Sequence, residues 1–438
     1  MTACHNVEGE RSHAMVDVES VNFFTEPTLV NDPYPYFDEL RGRCPVHPVA
    51  QPGVVSVTGY AEAVEVYRDG EAFSSCNAVS GPFPGLPVAP EGDDIGALIE
   101  QYRDQLPMSN FVVNLDGDSH TMQRALLRRL LTPNRLRDNE EAMWRLADRQ
   151  IDEFIDDGEF EVGAHYANAF SLMVIADLLG VPEQDRDDFR RQLGAEKPAP
   201  DVGEPAQATS HNPLEFLHQR FTEYIQERRR EPRSDVLSEL ALATYPDGST
   251  PELDVVVRLS TFLFAAGGDT TARLIASAMR ILAENPEYQE LLRGDRRRIA
   301  DFVEETLRLE SPTKSDFRLA RVTTRVGGVE IPAGTTVMMH PGAANRDPRK
   351  FDEPDRFRLD RSNVREHIAF GRGAHSCPGG PLARAEARVS IERFLDRMTD
   401  IRISESAHGP AGARQYEYEP TFILRGLTKL HLAFTPIG

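Results

Sequence analysis

One long apolar helix with a polar interruption at its middle restricts the fold of this chain most. The helical pattern opens at Thr250-Pro251-Glu252, a capping hydroxyl followed by proline at the first helical position. It closes at Asn285-Pro286. Between them, LSTFLFAAGGDTTARLIASAM (Leu259 to Met279) is apolar on nearly every face, which predicts a helix buried at the centre of the molecule. Gly267 and Gly268 each weaken that helix by about 1 kcal/mol relative to alanine. Asp269 and Thr270 follow them, and a carboxylate in apolar surroundings is costly unless something uses it. One reading is a kink where small residues pack tightly and Thr270 bonds back to a carbonyl. The functional reading is that the glycines admit a flat ligand or a diatomic molecule to the backbone, where Asp269 and Thr270 supply protons.

A second constraint is AFGRGAHSCPGGPLAR, Ala369 to Arg384, where glycines and prolines crowd around one cysteine. The cysteines are Cys4, Cys44, Cys76 and Cys377, far apart and without a CxxC pair. That spacing indicates neither a disulfide framework nor a zinc ribbon and fits a reducing compartment. A thiolate at Cys377 has four uses: nucleophile, zinc ligand, iron–sulfur ligand or axial haem ligand. Zinc and iron–sulfur centres need several Cys or His together, and only His375 is at hand. A nucleophile needs a base that sequence does not place, so that alternative stays open. An axial haem ligand needs one cysteine and a loop that lies flat against a macrocycle, which the glycines permit. A helix starting near Pro381 aims its N-terminal dipole at the sulfur.

Elsewhere, Glu305 and Arg308 stand three apart on one helix face and form an ion pair, with Arg356 of PDRF as a candidate third member. His120 and Arg124 lie one turn apart, a spacing that a solvated amphipathic helix also explains; Arg318 carries no signal alone. Residues 1–26 read as a mobile arm. A helix begins in NDPYPYFDELR (Asn31 to Arg41), and GVVSVTGY (Gly53 to Tyr60) is strand-like. Two long Gly/Pro-rich connections cover 73–116 and 194–213. Val326 to His340 is strand-rich, and Thr421 to Phe434 looks like a hairpin. The whole is mainly α with small sheets. Length alone, 438 residues, points to two or three domains. A composition of 40% hydrophobic and 27% charged residues is that of a soluble globular protein, and a net charge of -21 argues against a nucleic-acid partner. No window approaches a membrane span and the first forty residues hold no apolar leader core, so the expectation is a cytoplasmic protein without a membrane anchor.

FGRGAHSCPG (Phe370 to Gly379) resembles the haem-binding signature of the cytochrome P450 family. AGGDTT (Ala266 to Thr271) resembles its oxygen-activating helix and ETLR (Glu305 to Arg308) its ExxR pair, in the family's order. NDPYPYFDELR, AANRDP and PDRF extend the likeness to nearly the whole chain from Asn31. The resemblance implies a single-domain helical prism with small β-sheets over 27–438, overriding the length-based expectation. It implies haem b with Cys377 as axial ligand and Phe370 shielding the sulfur. His120, Arg124, Arg318 and His375 would hold the propionates, and Ala266, Gly267, Gly371 and Gly379 would contact the haem. Asp269 would relay protons and Thr270 would hold the bound oxygen, while Glu305, Arg308 and Arg356 would form a structural triad. His375 stands where many members have arginine, and Pro378, which has no N–H to give the sulfur, stands where the family usually has a donor.

The implied activity is a bacterial monooxygenase acting on a medium-sized apolar terpenoid, steroid or lipid, as a monomer, with O2 and electrons from NAD(P)H through a ferredoxin and its reductase. Rivals are a peroxygenase of the same fold, a haem-thiolate sensor and a cysteine hydrolase. Basic runs at Arg124 to Arg137 and Arg293 to Arg298, with Arg372, mark an expected ferredoxin-docking patch. The expected substrate lining is Phe264, Ala265, Phe317, Phe422 and Ile423, with Lys314 and Asp316 as a polar anchor.

Overall fold

A computed structural model describes Val18 and residues 20–128, 132–194 and 214–437. Its axis is the apolar run read above, one continuous helix over Leu253–Glu284. Proline at 286 ends it and opens the next helix, Pro286–Gly294, at a position where its missing N–H costs nothing. The N-terminus starts later than expected: Glu252 is the capping position and no side chain caps it, so Thr250 and Pro251 precede the helix. Around this axis pack the helices Asn168–Leu179, Glu215–Arg230, Arg298–Leu309 and Gly380–Arg397. Their apolar faces merge into the largest core cluster, a single domain in which the central helix is buried from several sides.

The strands are few and lie to one side. A five-stranded sheet runs Val46–Pro48, Val54–Val57, Thr336–Met339, Asp316–Ala320, Phe73–Ser74. Phe317 pairs with Met338 and Arg318 with Val337, so alternate residues of one strand face opposite ways. A three-stranded sheet joins Glu159–Glu161, His431–Pro436 and Met398–Ile403, and Thr324–Val326 pairs with Val329–Ile331. The segment 421–434 is therefore not a hairpin: Leu424 bridges Thr313, Leu427 bridges Tyr418, and only its end joins a sheet. The 73–116 connection is not one open loop either, since it holds a strand at Phe73–Ser74 and a helix at Gly96–Tyr102. The second connection falls outside the described residues except Gly194, the last residue of the helix Glu183–Gly194.

Most of the expected arm also lies outside the described residues, but its last part is packed. Phe23 and Phe24 are buried, and Phe24 makes edge contacts with Phe83 and Phe422 at 5.1 Å each. The aromatic pair supplies the apolar area that anchors it. Cys76 and Cys377 are free thiols, whereas Cys44 is disulfide-bonded, which corrects the reading from spacing at that position. Sequence separation says nothing about distance in the fold. Among the described residues no helix is long and apolar enough to cross a membrane, and no three His, Cys, Asp or Glu side chains cluster to hold a metal.

Candidate active site

Between the central helix and the cysteine loop lies a cavity of about 300 Å³. Its walls are mostly apolar, with Val112, Ile175, Leu178, Phe262, Leu263 and Leu274 among them, and Cys377 opens onto it. Cys377 is accessible from this cavity while its sulfur sits deep in the protein, where burial pushes the thiol up. Opposing that shift, the backbone amides of Gly379 and Gly380 bond to the sulfur and Arg124 and Arg384 add positive charge. These amides are the N-terminus of the helix Gly380–Arg397, the dipole expected from sequence. Pro378 contributes none.

The loop glycines have separate causes. Gly371 and Gly373 have φ of +64° and +73°. A Cβ on Gly373 would lie 2.3 Å from the Tyr67 carbonyl oxygen, so close contact with a neighbouring backbone, rather than with a macrocycle, excludes a side chain there. Gly371 and Gly379 do line the cavity. Phe370 also lines it, and the Arg384 guanidinium stands 4.6 Å from its ring centre. The Phe370 carbonyl accepts from the Cys377 amide at 2.8 Å.

At one end of the cavity the expected basic groups converge. The His120 and His375 rings stack with centroids 3.8 Å apart, and His375 Nε2 is 3.1 Å from Ser75 Oγ. Burial and the positive charges of Arg318, His120 and Arg124 push His375 down to about 2. That positive potential suits two buried carboxylates, so the residues present fit a haem with its propionates at this end. Arg124 also donates to the Ser376 carbonyl, tying the helix Gly117–Arg128 to the cysteine loop. Arg318 donates to the carbonyl of Phe317 at 2.6 Å and to Asp316 at 3.2 Å. Sequence reasoning missed Tyr67, which lines the cavity beside Arg318 and carries no signal in its own segment.

On the helix side, Ala266, Gly267, Thr270 and Thr271 face the cavity. Thr270 Oγ1 donates to the Ala266 carbonyl at 2.9 Å. A Cβ on Gly267 would meet Ile175 at 3.5 Å, and one on Gly268 would meet Leu172 at 3.7 Å, both ordinary contacts, so packing against the helix Asn168–Leu179 does not itself require glycine at either position. Asp269 is not in the cavity wall. Its Oδ2 accepts from Arg273 Nη2 at 2.9 Å and Nε at 3.2 Å.

The ExxR pair is fully buried: Arg308 Nε and Nη2 donate to the two oxygens of Glu305 at 2.7 and 2.8 Å. Arg356 is not its third member. Its side chain is 70% exposed and pairs with Glu353 at 3.2 Å, and it gives the network only its carbonyl. Arg361 takes the place, 3.2 Å from Glu305 and buried, because the chain after Arg356 turns back towards the helix. Arg308 also donates to the carbonyls of Asn345 and Pro354, and Asn345 Oδ1 accepts from Ile368 on the way to the cysteine loop.

Beside it, Glu304 was missed. It accepts from His367 at 2.9 Å and Arg384 at 2.6 Å. Burial opposes its ionisation, but these bonds outweigh burial and hold its carboxyl at about 2. A carboxyl held below its ordinary 4.5 stabilises the fold above that value and stops doing so as pH falls towards 2. In urea titrations Glu304→Gln is expected to lose about 3 kcal/mol at pH 7, the gap to the parent closing below pH ~4. A gap that stays constant with pH contradicts this.

None of Phe264, Ala265, Phe317, Phe422 and Ile423 is in the cavity wall. Phe264 is fully buried among Phe189 and Phe221, because it lies two residues, about 200°, around the helix from the cavity-facing Ala266. Phe317 and Phe422 belong to the cluster around Phe24. Of the polar anchor, Asp316 lines the cavity but Lys314 does not: its ammonium donates to the Thr421 carbonyl at 2.8 Å. The basic runs are engaged rather than free. Arg293 binds the carbonyls of Leu395 and Met398, Arg296 pairs with Asp396, Arg297 with Asp295 and Arg135 with Glu239. Arg372 donates to the carbonyls of Glu366 and His367, and 129–131 fall outside the described residues.

The cytochrome P450 family model matches residues 202–399. The chain is 31% identical to cytochrome P450 144 of Mycobacterium tuberculosis over 98% of its own length and 94% of the relative's. It belongs to the cytochrome P450 family. The solved structure of substrate-free cytochrome P450 CYP150A6 from Mycobacterium marinum matches with a TM-score of 0.90 at 58% identity, covering 96% of this chain and 100% of that one. CYP109E1 from Bacillus megaterium, solved in complex with testosterone, matches at 26% identity with a TM-score of 0.76 over 92% of this chain and 99% of that one.

The chain is therefore a haem monooxygenase, an oxidoreductase, with haem bound through the Cys377 thiolate. Pro378 has no N–H to direct at the sulfur. The sulfur keeps two backbone donors, from Gly379 and Gly380, and each N–H directed at it withdraws charge and favours the reduced iron. Pro378→Leu restores a third N–H and is expected to raise the haem reduction potential. A differential of about 1–2 kcal/mol is about 40–90 mV for one electron. Spectroelectrochemistry showing an unchanged or lower potential contradicts the reading.

Proposed function

We propose that this P450 hydroxylates a medium-sized apolar molecule of terpenoid, steroid or lipid type, with O2 and electrons from NAD(P)H delivered by a ferredoxin and its reductase. The observation that carries the reading is the cavity wall apart from the cysteine loop and basic cluster that would hold the haem: Val112, Ile175, Phe262, Leu263 and Leu274 are apolar, and the Thr270 hydroxyl opens onto the same cavity as Cys377. A largely apolar wall with few polar groups selects by shape and by area removed from water. The testosterone complex of CYP109E1 supports a ligand of that size and polarity.

With haem bound, the iron supplies activation of O2, one atom entering a C–H bond and the other leaving as water. The chain does the rest. Leu263, Leu274 and Ile175 exclude water around the substrate. Thr270 already donates to Ala266, so its oxygen is held in place and presents its lone pairs to the cavity. Asp269, one residue earlier and 31% exposed, takes protons from solvent and passes them towards Thr270.

The direct test is an optical titration of the ferric holoenzyme with steroids, terpenoids and fatty acids. A low- to high-spin change with the apolar panel supports the substrate class. No response to any of them, with a response to polar molecules instead, overturns it. Thr270→Ala separates the reaction classes: a monooxygenase is expected to lose coupling and release peroxide, by about tenfold or more, whereas a peroxygenase is indifferent to the change.

A further inference from the structure

Arg273 has no part in the reading above, yet it is among the most constrained charges in the molecule. It lies on the central helix one turn after Asp269, with its side chain 5% exposed. One side of its guanidinium holds the Asp269 carboxylate and the other, Nη1, is 2.6 Å from Glu419 Oε2 on the C-terminal strap, residues 417–428. The strap closes over it. A Cβ on Gly426 would lie 2.6 Å from Arg273 Nη1 and 2.7 Å from its Cγ, so a side chain at 426 would displace the arginine.

The strap also forms the back of the cavity wall. Leu424 bridges Thr313, and Arg425 N donates to the Pro312 carbonyl at 2.7 Å; Pro312 and Thr313 both line the cavity. The backbone amide of Lys314 donates to the Ile423 carbonyl at 2.7 Å, while its ammonium holds the Thr421 carbonyl at 2.8 Å. A chain of contacts thus runs from the cavity wall through the strap to Glu419, Arg273 and Asp269.

We propose that Arg273 is a positioning residue that, latched to the strap by Glu419, keeps the Asp269 carboxylate turned away from the cavity and so restrains proton delivery. The inference rests on the reading of Asp269 as the proton-relay acid. A ligand that presses on Pro312 and Thr313 shifts the strap, loosens Glu419 and lets Asp269 turn inwards. Substrate occupancy and proton supply are coupled through one arginine.

The test uses the haem-loaded enzyme without organic substrate, with NADPH and a saturating plant-type ferredoxin and reductase as electron source. Reduction of O2 to peroxide consumes two electrons and two protons, and reduction to two waters consumes four of each, so NADPH oxidation reports proton supply. Arg273→Gln is expected to oxidise NADPH at least threefold faster than the parent, and Arg273→Lys, which can still pair with both carboxylates, to stay within twofold. In an Asp269→Asn background Arg273→Gln is expected to bring no acceleration. Glu419→Gln, a mild change on the strap, should accelerate in the same direction if Arg273→Gln folds poorly. Hydrogen exchange adds a readout independent of turnover: amides of 417–428 should exchange faster in both variants. If Arg273→Gln and Glu419→Gln are no faster than the parent, or accelerate equally without Asp269, the latch is wrong. If Asp269→Asn alone leaves the rate unchanged, the relay reading itself falls.

Discussion

Arg308→Ala is expected to yield protein with little or no bound haem and a strongly lowered unfolding midpoint. Glu305 is fully buried, and removing Arg308 leaves its carboxylate with only Arg361 and the Arg358 amide. Breaking a buried pair from one side costs about 3–5 kcal/mol, a large share of a stability of about 5–15 kcal/mol. The same arginine donates to the carbonyls of Asn345 and Pro354 on the irregular chain, which lose that donor at once, while the Arg356 carbonyl keeps Arg361. That chain leads through Ile368 into the cysteine loop, which is why haem content should fall with stability. The comparison that decides the assignment is Arg361→Ala against Arg356→Ala. The first should damage haem content and the second should leave it near the parent value. Equal damage from both contradicts the placement of Arg361 in the network.

Cys377→Ser is expected to preserve the fold and abolish the chemistry. The loop is held by the Cys377 amide bonded to Phe370 and by Arg124 bound to the Ser376 carbonyl, and a serine oxygen can accept from the Gly379 and Gly380 amides in place of the sulfur. A serine hydroxyl is far harder to ionise than a thiol, so the strongly donating ligand is lost. The carbon-monoxide difference band of the reduced protein should move to shorter wavelength. NADPH-driven turnover should fall by about three orders of magnitude, while the far-ultraviolet circular dichroism is unchanged. A variant that keeps the parental band places the ligand elsewhere.

How much of this was legible in the sequence differs from residue to residue. The central helix was readable because its run is apolar on all faces and its end is marked by Asn285-Pro286. Its start was misplaced because Thr250-Pro251 looks like a cap, yet no side chain caps the helix. Cys377, Arg308 and the basic cluster of His120, Arg124, Arg318 and His375 were placed from motif resemblance, and the structure brings the cluster together. Arg361 was missed because Arg356 and Arg361 are both arginines in an irregular stretch, and only the path of the chain separates an exposed one from a buried one. The pocket residues failed for a related reason. Phe264, Phe317 and Phe422 are apolar and near the right segments, but an aromatic residue in a core and one in a cavity wall look alike until the rotation of the helix is known. Asp269 shows the opposite case: the residue was found, but not the partner, Arg273, that turns it away.

The distribution of the site along the chain has a consequence for how the enzyme is made. His120 and Arg124 leave the ribosome early, Glu305 and Arg308 long after, and the cysteine loop and the strap last. Chains are synthesised from the N-terminus at about 5–20 residues per second, so His120 and Arg124 wait many seconds for Arg318, His375 and the thiolate that complete the site. A nascent chain that stops short of the cysteine loop cannot capture haem through both ends of the site. Haem loading therefore follows synthesis of the cysteine loop, and cells short of haem will accumulate chains that carry an open apolar cavity, with the aggregation hazard that exposed apolar surface brings.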